Sequence, residues 1–147
     1  MTPKMNKDDL NRFLVRAFEQ VADQFHVEDV AASQVTVRLR VDQTHLRPGG
    51  TISGPSMFSL ADVAMYLATL AMIGPKALAV TTNCSIDFMR KPDASRDLIA
   101  KAQIHKLGRQ LSVGDVLIYS EGAQDPVARA GLTYAIPPTG SAADVST

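Results

Sequence analysis

Asp62 has the most chemistry to offer in this chain, because its surroundings are so unlike it. From Ser56 to Ile73 nearly every position is apolar or small. The apolar residues run all round instead of keeping to one stripe, which marks a helix buried on most of its faces. A carboxylate in such a helix needs a partner, a proton or a purpose. Capping does not explain it. The start signal lies upstream, in Gly49-Gly50-Thr51-Ile52-Ser53-Gly54-Pro55-Ser56. There Gly54 suits the N-cap, Pro55 suits the first helical position, and Ser56 is a second candidate start. Asp62 lies about two turns further in, beyond capping and most of the dipole effect. It either meets a polar loop or an ion-pair partner, or it works as a general base or nucleophile, since buried ionisable groups cluster at active sites. The helix start offers a complementary group. Its aimed N–H groups and positive dipole end make the Gly54 N–H a sensible donor to an oxygen gaining negative charge. Gly54-Pro55-Ser56 is not a nucleophile elbow, because position 58 is Phe where that motif needs Gly.

These groups need elements to position them. Residues 7–25 carry Leu10, Phe13, Leu14, Ala17, Phe18, Val21, Ala22 and Phe25 at helical spacing, which predicts an amphipathic helix. Val35, Val37, Leu39 and Val41 alternate with polar residues and predict a strand with one wet face. A Pro/Gly loop, 45–54, leads into the buried helix, and Gly74-Pro75 ends it. Strands are expected over 78–90, with Val80, Thr82, Cys84, Ile86 and Phe88 on one face, then over 97–106, 111–121 and 127–136. Gly108-Arg109 suits a hairpin turn, and Gly114 is a candidate bulge. Short turns between strands mean an antiparallel sheet, giving an α+β fold with one helix to wrap. A helix apolar all round wants more cover than one small sheet supplies, so a second copy of the chain is expected, as a homodimer or a dimer of dimers.

Composition narrows the function classes. The 147 residues suit one core-bearing domain, with an N-terminal helix in 1–30, the main unit over 31–137 and a frayed tail over 138–147. Fifteen basic and fifteen acidic residues give zero net charge, with no basic field to hold nucleic acid. A single cysteine, Cys84, excludes an internal disulfide and suits a reducing, cytoplasmic setting. There it fits as a small core hydrophobe. The Ser56–Ile73 run is as long as the shortest spanning helices, but Asp62 and its small polar residues favour a core helix over a membrane one. His26, His45 and His105 show no metal-ligand spacing, and no metal or cofactor is expected.

The segment His45-Leu46-Arg47-Pro48-Gly49-Gly50-Thr51-Ile52-Ser53-Gly54, followed by Ser59-Leu60-Ala61-Asp62, resembles the signature of hotdog-fold acyl-CoA thioesterases of the phenylacetate-pathway, PaaI-like type. In that family a loop ending in His-Gly-Gly precedes the central helix, and an acidic residue follows the first glycine by eight positions, the spacing of Gly54 and Asp62. Asp87-Phe88-Met89-Arg90-Lys91-Pro92 and Leu107-Gly108-Arg109-Gln110-Leu111 resemble two further family segments. The similarity spans residues 35–136. It implies a hotdog fold, an antiparallel sheet wrapped around a long buried central helix. It also implies hydrolysis of an acyl-CoA thioester, with Asp62 as base or nucleophile, the Gly54 N–H as oxyanion donor, and the two contributed by different subunits. Thr82 stands where relatives carry a Ser or Thr that orients water, with Thr81 one register away.

Ser53 and Ser56 sit near the expected thioester position, where capping competes with contact. Arg47, Arg90, Lys91, Lys106 and Arg109 are candidates for coenzyme A phosphates. Three positions depart from the pattern: Ser53 replaces the usual His, Pro55 a second Gly, and Arg47 a common Asn. These favour an alternative in which the chain binds acyl-CoA without turning it over. A hotdog hydratase would need a His near Gly54, and none stands there. The acyl group, and coenzyme A against acyl carrier protein, stay open at this level.

Overall fold

The computed structural model describes residues 2–76 and 78–138. Nine of the ten positions expected as a frayed tail therefore lie outside the described residues. Helix α1 spans Lys7–Ala17 and opens with a capping box, in which the Asn6 side chain accepts from Asp9 N and Asp9 returns a bond to Asn6 N. Leu10, Phe13 and Leu14 form its buried stripe. The helix expected to reach residue 25 stops at Ala17, and Phe25–Ala31 is strand β1. The reason is tertiary. Phe25 and Val27 are buried, and the strand pairs antiparallel with β2, Gln34–Leu39. A ladder of backbone bonds outweighs a helical stripe that Val21 and Ala22 only extend weakly.

After β2 come a short 3-10 turn, Gln43–His45, and the central helix α2, Gly54–Ile73. Strands β3 (Val80–Phe88), β4 (Leu98–Leu107), β5 (Leu111–Ser120) and β6 (Ala128–Ala135) complete one six-stranded sheet in the order β1-β2-β4-β5-β6-β3, every neighbouring pair antiparallel. The sheet wraps α2, as the resemblance implied. From Ala64 to Met72 every residue of α2 is buried within one chain. Apart from the half-buried last residue, Ile73, the less covered positions lie in its first half: Pro55, Phe58 and Ser59 are exposed, and Gly54, Ser56, Asp62 and Val63 half-buried. Length and composition would let α2 cross a membrane, yet 67% of its apolar window lies inside the fold.

Two bulges set which residues face the helix. In β3, Thr81 pairs with Tyr134 and Asn83 with Thr133, so Thr82 is the extra residue. Beyond it Cys84, Ile86 and Phe88 keep the helix side, but on the near side Thr81 takes the inward place that strict alternation gives Thr82. In β4 the register slips between Ile104 and Lys106. The bulge expected at Gly114 therefore lies in the opposite strand. Gly114 is small because α2 passes over it: an added Cβ would overlap the Gln103 carbonyl oxygen and come within 2.9 Å of Met65 Cε.

The outer face is held by charge. Arg38 on β2 donates to Glu28 at 2.6 Å, Asp97 at 2.9 Å and Glu121 at 2.7 Å, tying three further segments to one guanidinium. Arg38 holds the Glu121 carboxyl below its ordinary range, so this tie is complete above that range and is lost as pH falls through the depressed value.

Gly114→Ala tests the helix–sheet approach. Overpacking of this kind costs about 1–3 kcal/mol, so thermal unfolding should show a midpoint lower by several degrees. An unchanged midpoint would mean that β4 and Met65 yield freely.

Candidate functional site

The loop before α2 is built to aim the helix start. Gly49 and Gly50 adopt φ values of +97° and +80°, a region glycine enters without steric cost. The loop closes through a Leu46–Ile52 bridge and an Arg47 N to Thr51 O bond of 2.8 Å. His45 anchors it from below. Its ring is buried, Nδ1 accepts from Asp42 N at 2.9 Å, and Nε2 lies 3.1 Å from Gln24 Oε1. These partners assign the proton to Nε2. The His45 carbonyl accepts from Ser53 N at 2.8 Å and from Ser56 Oγ at 3.2 Å.

Ser53, not Gly54, is the N-cap. Its Oγ accepts from Ser56 N, and Gly54 and Pro55 are the first two helical residues. A serine hydroxyl reaching a free first-turn N–H out-competes glycine, which has nothing to offer as a cap side chain. The Ser56 N–H is thus taken, Met57 N donates to Ser53 O, and Pro55 has no N–H. Gly54 is left as the first-turn donor with no acceptor among the described residues. Phe88, at the far end of β3, lies over it: a Cβ at position 54 would be 3.2 Å from Phe88 Cζ.

Asp62 meets two hydroxyls. Thr81 Oγ1 donates to its Oδ1 at 2.5 Å, and Tyr134 OH donates to the same Oδ1 at 2.6 Å, lying also 3.0 Å from the Asp62 main-chain oxygen. Both donors come from the paired position Thr81–Tyr134. No protein group among the described residues bonds Oδ2. Tyr134 is buried, and burial followed by the bond to Asp62 pushes its hydroxyl far above the ordinary range, so it stays a donor. Cys84 shares the neighbourhood. Its thiol is pushed up by burial and then by the charge of Asp62.

The predicted residues divide accordingly. Thr81 reaches Asp62, whereas the Thr82 hydroxyl is exposed and bonds Thr133 O at 3.3 Å. Tyr134 was not among the sequence candidates. Its only signal was a hydroxyl in the inward register of the last strand, alongside Ala128, Ala130 and Leu132. Ser53, Pro55 and Ser56 gather with His45 in a small pocket beneath the start of α2. Arg47 is exposed at the loop tip. Arg90 and Lys91 are exposed beyond the Phe88 end of β3, and Arg90 donates to Pro126 O at 2.8 Å. Arg109 and Lys106 line a groove with Leu111 and Ile136 at the other end of the sheet, the end that holds Thr81 and Tyr134.

Gly54 and Asp62 are eight residues apart on one helix, about 12 Å along its axis. One chain therefore presents a carboxylate and an oxyanion donor too far apart to act on a single carbonyl.

The model of the thioesterase superfamily matches residues 49–127, the segment holding both groups. A protein of Silicibacter sp. TM1040, whose crystal structure is described as a "putative thioesterase", is 53% identical and aligns with a TM-score of 0.88 over 94% of this chain and 96% of its own. A variant of the phenylacetic acid degradation protein PaaI from Thermus thermophilus is 28% identical, with a TM-score of 0.70 over 81% of this chain and 99% of its own. A "putative esterase" of Pseudomonas aeruginosa is 28% identical over 96 residues, 65% of this chain and 72% of its own. With its sheet closed round one apolar helix and its glycine loop and acid inside the matched segment, the chain is a hotdog-fold protein and belongs to the thioesterase superfamily.

Proposed function

We propose that the protein hydrolyses acyl-CoA thioesters to the free acid and coenzyme A, using Asp62 of one subunit and the Gly54 N–H of another. The observation that carries this reading is the Asp62 carboxylate, held through one oxygen by Thr81 and Tyr134 and open at the other. The thioester carbonyl oxygen accepts from Gly54 N–H, at the positive end of α2. Asp62 Oδ2 either takes a proton from water as that water attacks the acyl carbon, or attacks the carbon itself to give an anhydride that water then opens. In the first route the water oxygen bonds the acyl carbon as the C–S bond breaks. In the second the Asp62 oxygen takes that place, and water adding at the acyl carbon of the anhydride returns it to Asp62. In both the sulfur leaves as thiolate and gains a proton.

The second subunit is argued from β3. It is an edge strand, paired only with β6, and apolar residues stand exposed at or beside both ends: Leu78 and Val80 at one, Phe88 and Met89 at the other. An open edge of this length invites another strand. Two identical strands related by a twofold axis pair antiparallel. The Thr81 end of one then meets the Phe88 end of the other, and Gly54, which lies under Phe88, approaches Asp62 across the axis. The same operation carries Arg90 and Lys91 of the partner subunit toward the end where Arg109 and Lys106 sit. That assembles cations suited to coenzyme A phosphates.

Asp62→Asn should lower thiol release from acyl-CoA esters by on the order of 100-fold or more, the scale of general-base catalysis, with thermal unfolding preserved. Retained turnover would remove Asp62 from the chemistry. Gly54→Pro deletes the N–H at a helical position proline tolerates, and Gly54→Ala controls for the Cβ that both variants bring against Phe88. The proline variant should fall about 100- to 1000-fold below the alanine one; equal rates would place the oxyanion donor elsewhere. Cys84 supplies an independent probe. Because the charge of Asp62 disfavours its thiolate, Asp62→Asn should move the thiolate absorbance titration to lower pH. An unmoved titration would show that Asp62 carries no charge beside it.

A further inference from the structure

We propose that Tyr134 is a positioning residue for the reaction: with Thr81 it pins Oδ1 of Asp62 and leaves Oδ2 as the oxygen that reacts. The inference rests on the thioesterase reading above and adds to it which carboxylate oxygen works and what holds it there.

The geometry is specific to Asp62 in two ways. First, the Tyr134 hydroxyl lies 2.6 Å from Oδ1 and 3.0 Å from the main-chain oxygen of the same residue. One phenol therefore spans the side chain and backbone of Asp62, which fixes the side-chain torsions and not merely the location of the charge. Second, Thr81 donates to that same oxygen. Two donors on Oδ1 occupy its lone pairs, while Oδ2 has no bond among the described residues. A symmetric carboxylate is thereby made asymmetric, with one oxygen bound to the protein and the other left for water or the acyl carbon.

The tyrosine itself is held firmly. Its ring packs against Tyr66, centroids 5.8 Å apart, and Tyr66 packs against Phe13 at 6.2 Å and edge-on against Phe18 at 5.6 Å. Tyr66 sits one helical turn after Asp62, so the helix that carries the carboxylate also carries the wall that orients its donor. The N-terminal helix α1 supplies Phe13 and so braces the arrangement from behind. A phenol kept protonated by burial acts as a donor only.

Tyr134→Phe keeps the ring and its packing and removes only the oxygen. With acyl-CoA ester as substrate, kcat should fall on the order of 10- to 100-fold, the size of one hydrogen bond to a charged group. KM should change little. Thr81→Val should act in the same direction and Thr81→Ser should restore activity. This second pair keeps the test decisive if the phenylalanine variant unfolds. Wild-type kcat in Tyr134→Phe would overturn the proposal while leaving the thioesterase reading standing. A rise in KM alone would overturn it too, by making Tyr134 a binding residue. A wild-type protein that releases no thiol from any ester would overturn both.

Discussion

The bond from Thr81 and Tyr134 to Asp62 is where the local and global architecture meet. A carboxylate two turns into an apolar helix has to be solvated by the protein, because water reaches it on one side only. The solvating groups come from strands at the sheet edge, remote in sequence from the helix. They meet it only if the sheet curls round α2, if β3 lies outside β6, and if β3 carries a bulge at Thr82. Remove the bulge and the wrong threonine faces inward. Replace Gly114 and the sheet can no longer sit so close to Met65. The core thus serves to deliver two hydroxyls to one oxygen.

The same helix carries both groups of the proposed reaction, Gly54 at its start and Asp62 two turns in, and its own rigidity keeps them apart. The Gly54 N–H is freed by a cap that uses serine and by a proline that has no N–H to offer, while the His45 carbonyl steadies the turn through Ser53 and Ser56. About 12 Å of helix then separates this donor from Asp62. A straight helix cannot bring its own start to its own ninth residue, so joint action on one carbonyl requires two helices. The proposed pairing of β3 with its copy meets that requirement through a sheet edge flanked, among the described residues, by exposed apolar side chains. The departures at Ser53 and Pro55 are compatible with this arrangement, since they reshape the cap without consuming the Gly54 N–H.

Much of this was legible in the residues, and the failures have physical causes. The central helix and its lone acid stand out because burial on all sides leaves no polar alternation to confuse with a surface helix. The antiparallel strands after it follow from period-two alternation and short turns. Strand β1 was hidden because Phe25 falls in step with the helical stripe of residues 7–25, and the pairing of Phe25–Ala31 with β2 is what decides against a helix there. Thr81 was displaced by one because a bulge cannot be seen in alternation that assumes none. Tyr134 was invisible for a different reason. A tyrosine in a strand is ordinary, and what distinguishes this one is its neighbour across the sheet and the helix beneath it. The need for a second copy was argued from apolar cover over the whole helix. One chain in fact covers α2 from Ala64 to Met72, and Phe58, Ser59, Asp62 and Val63 are the positions it leaves less covered.

The central claim, that each site is shared between two subunits, is tested most directly by mixing two inactive variants. Asp62→Asn and Gly54→Pro proteins, each purified, are unfolded together in equal amounts, refolded, and assayed for thiol release. Half the resulting dimers are mixed, and each mixed dimer rebuilds one intact site from the Asp62 of one chain and the Gly54 of the other. Activity should therefore return to about a quarter of the wild-type level. Activity no greater than that of either variant alone would contradict the shared site.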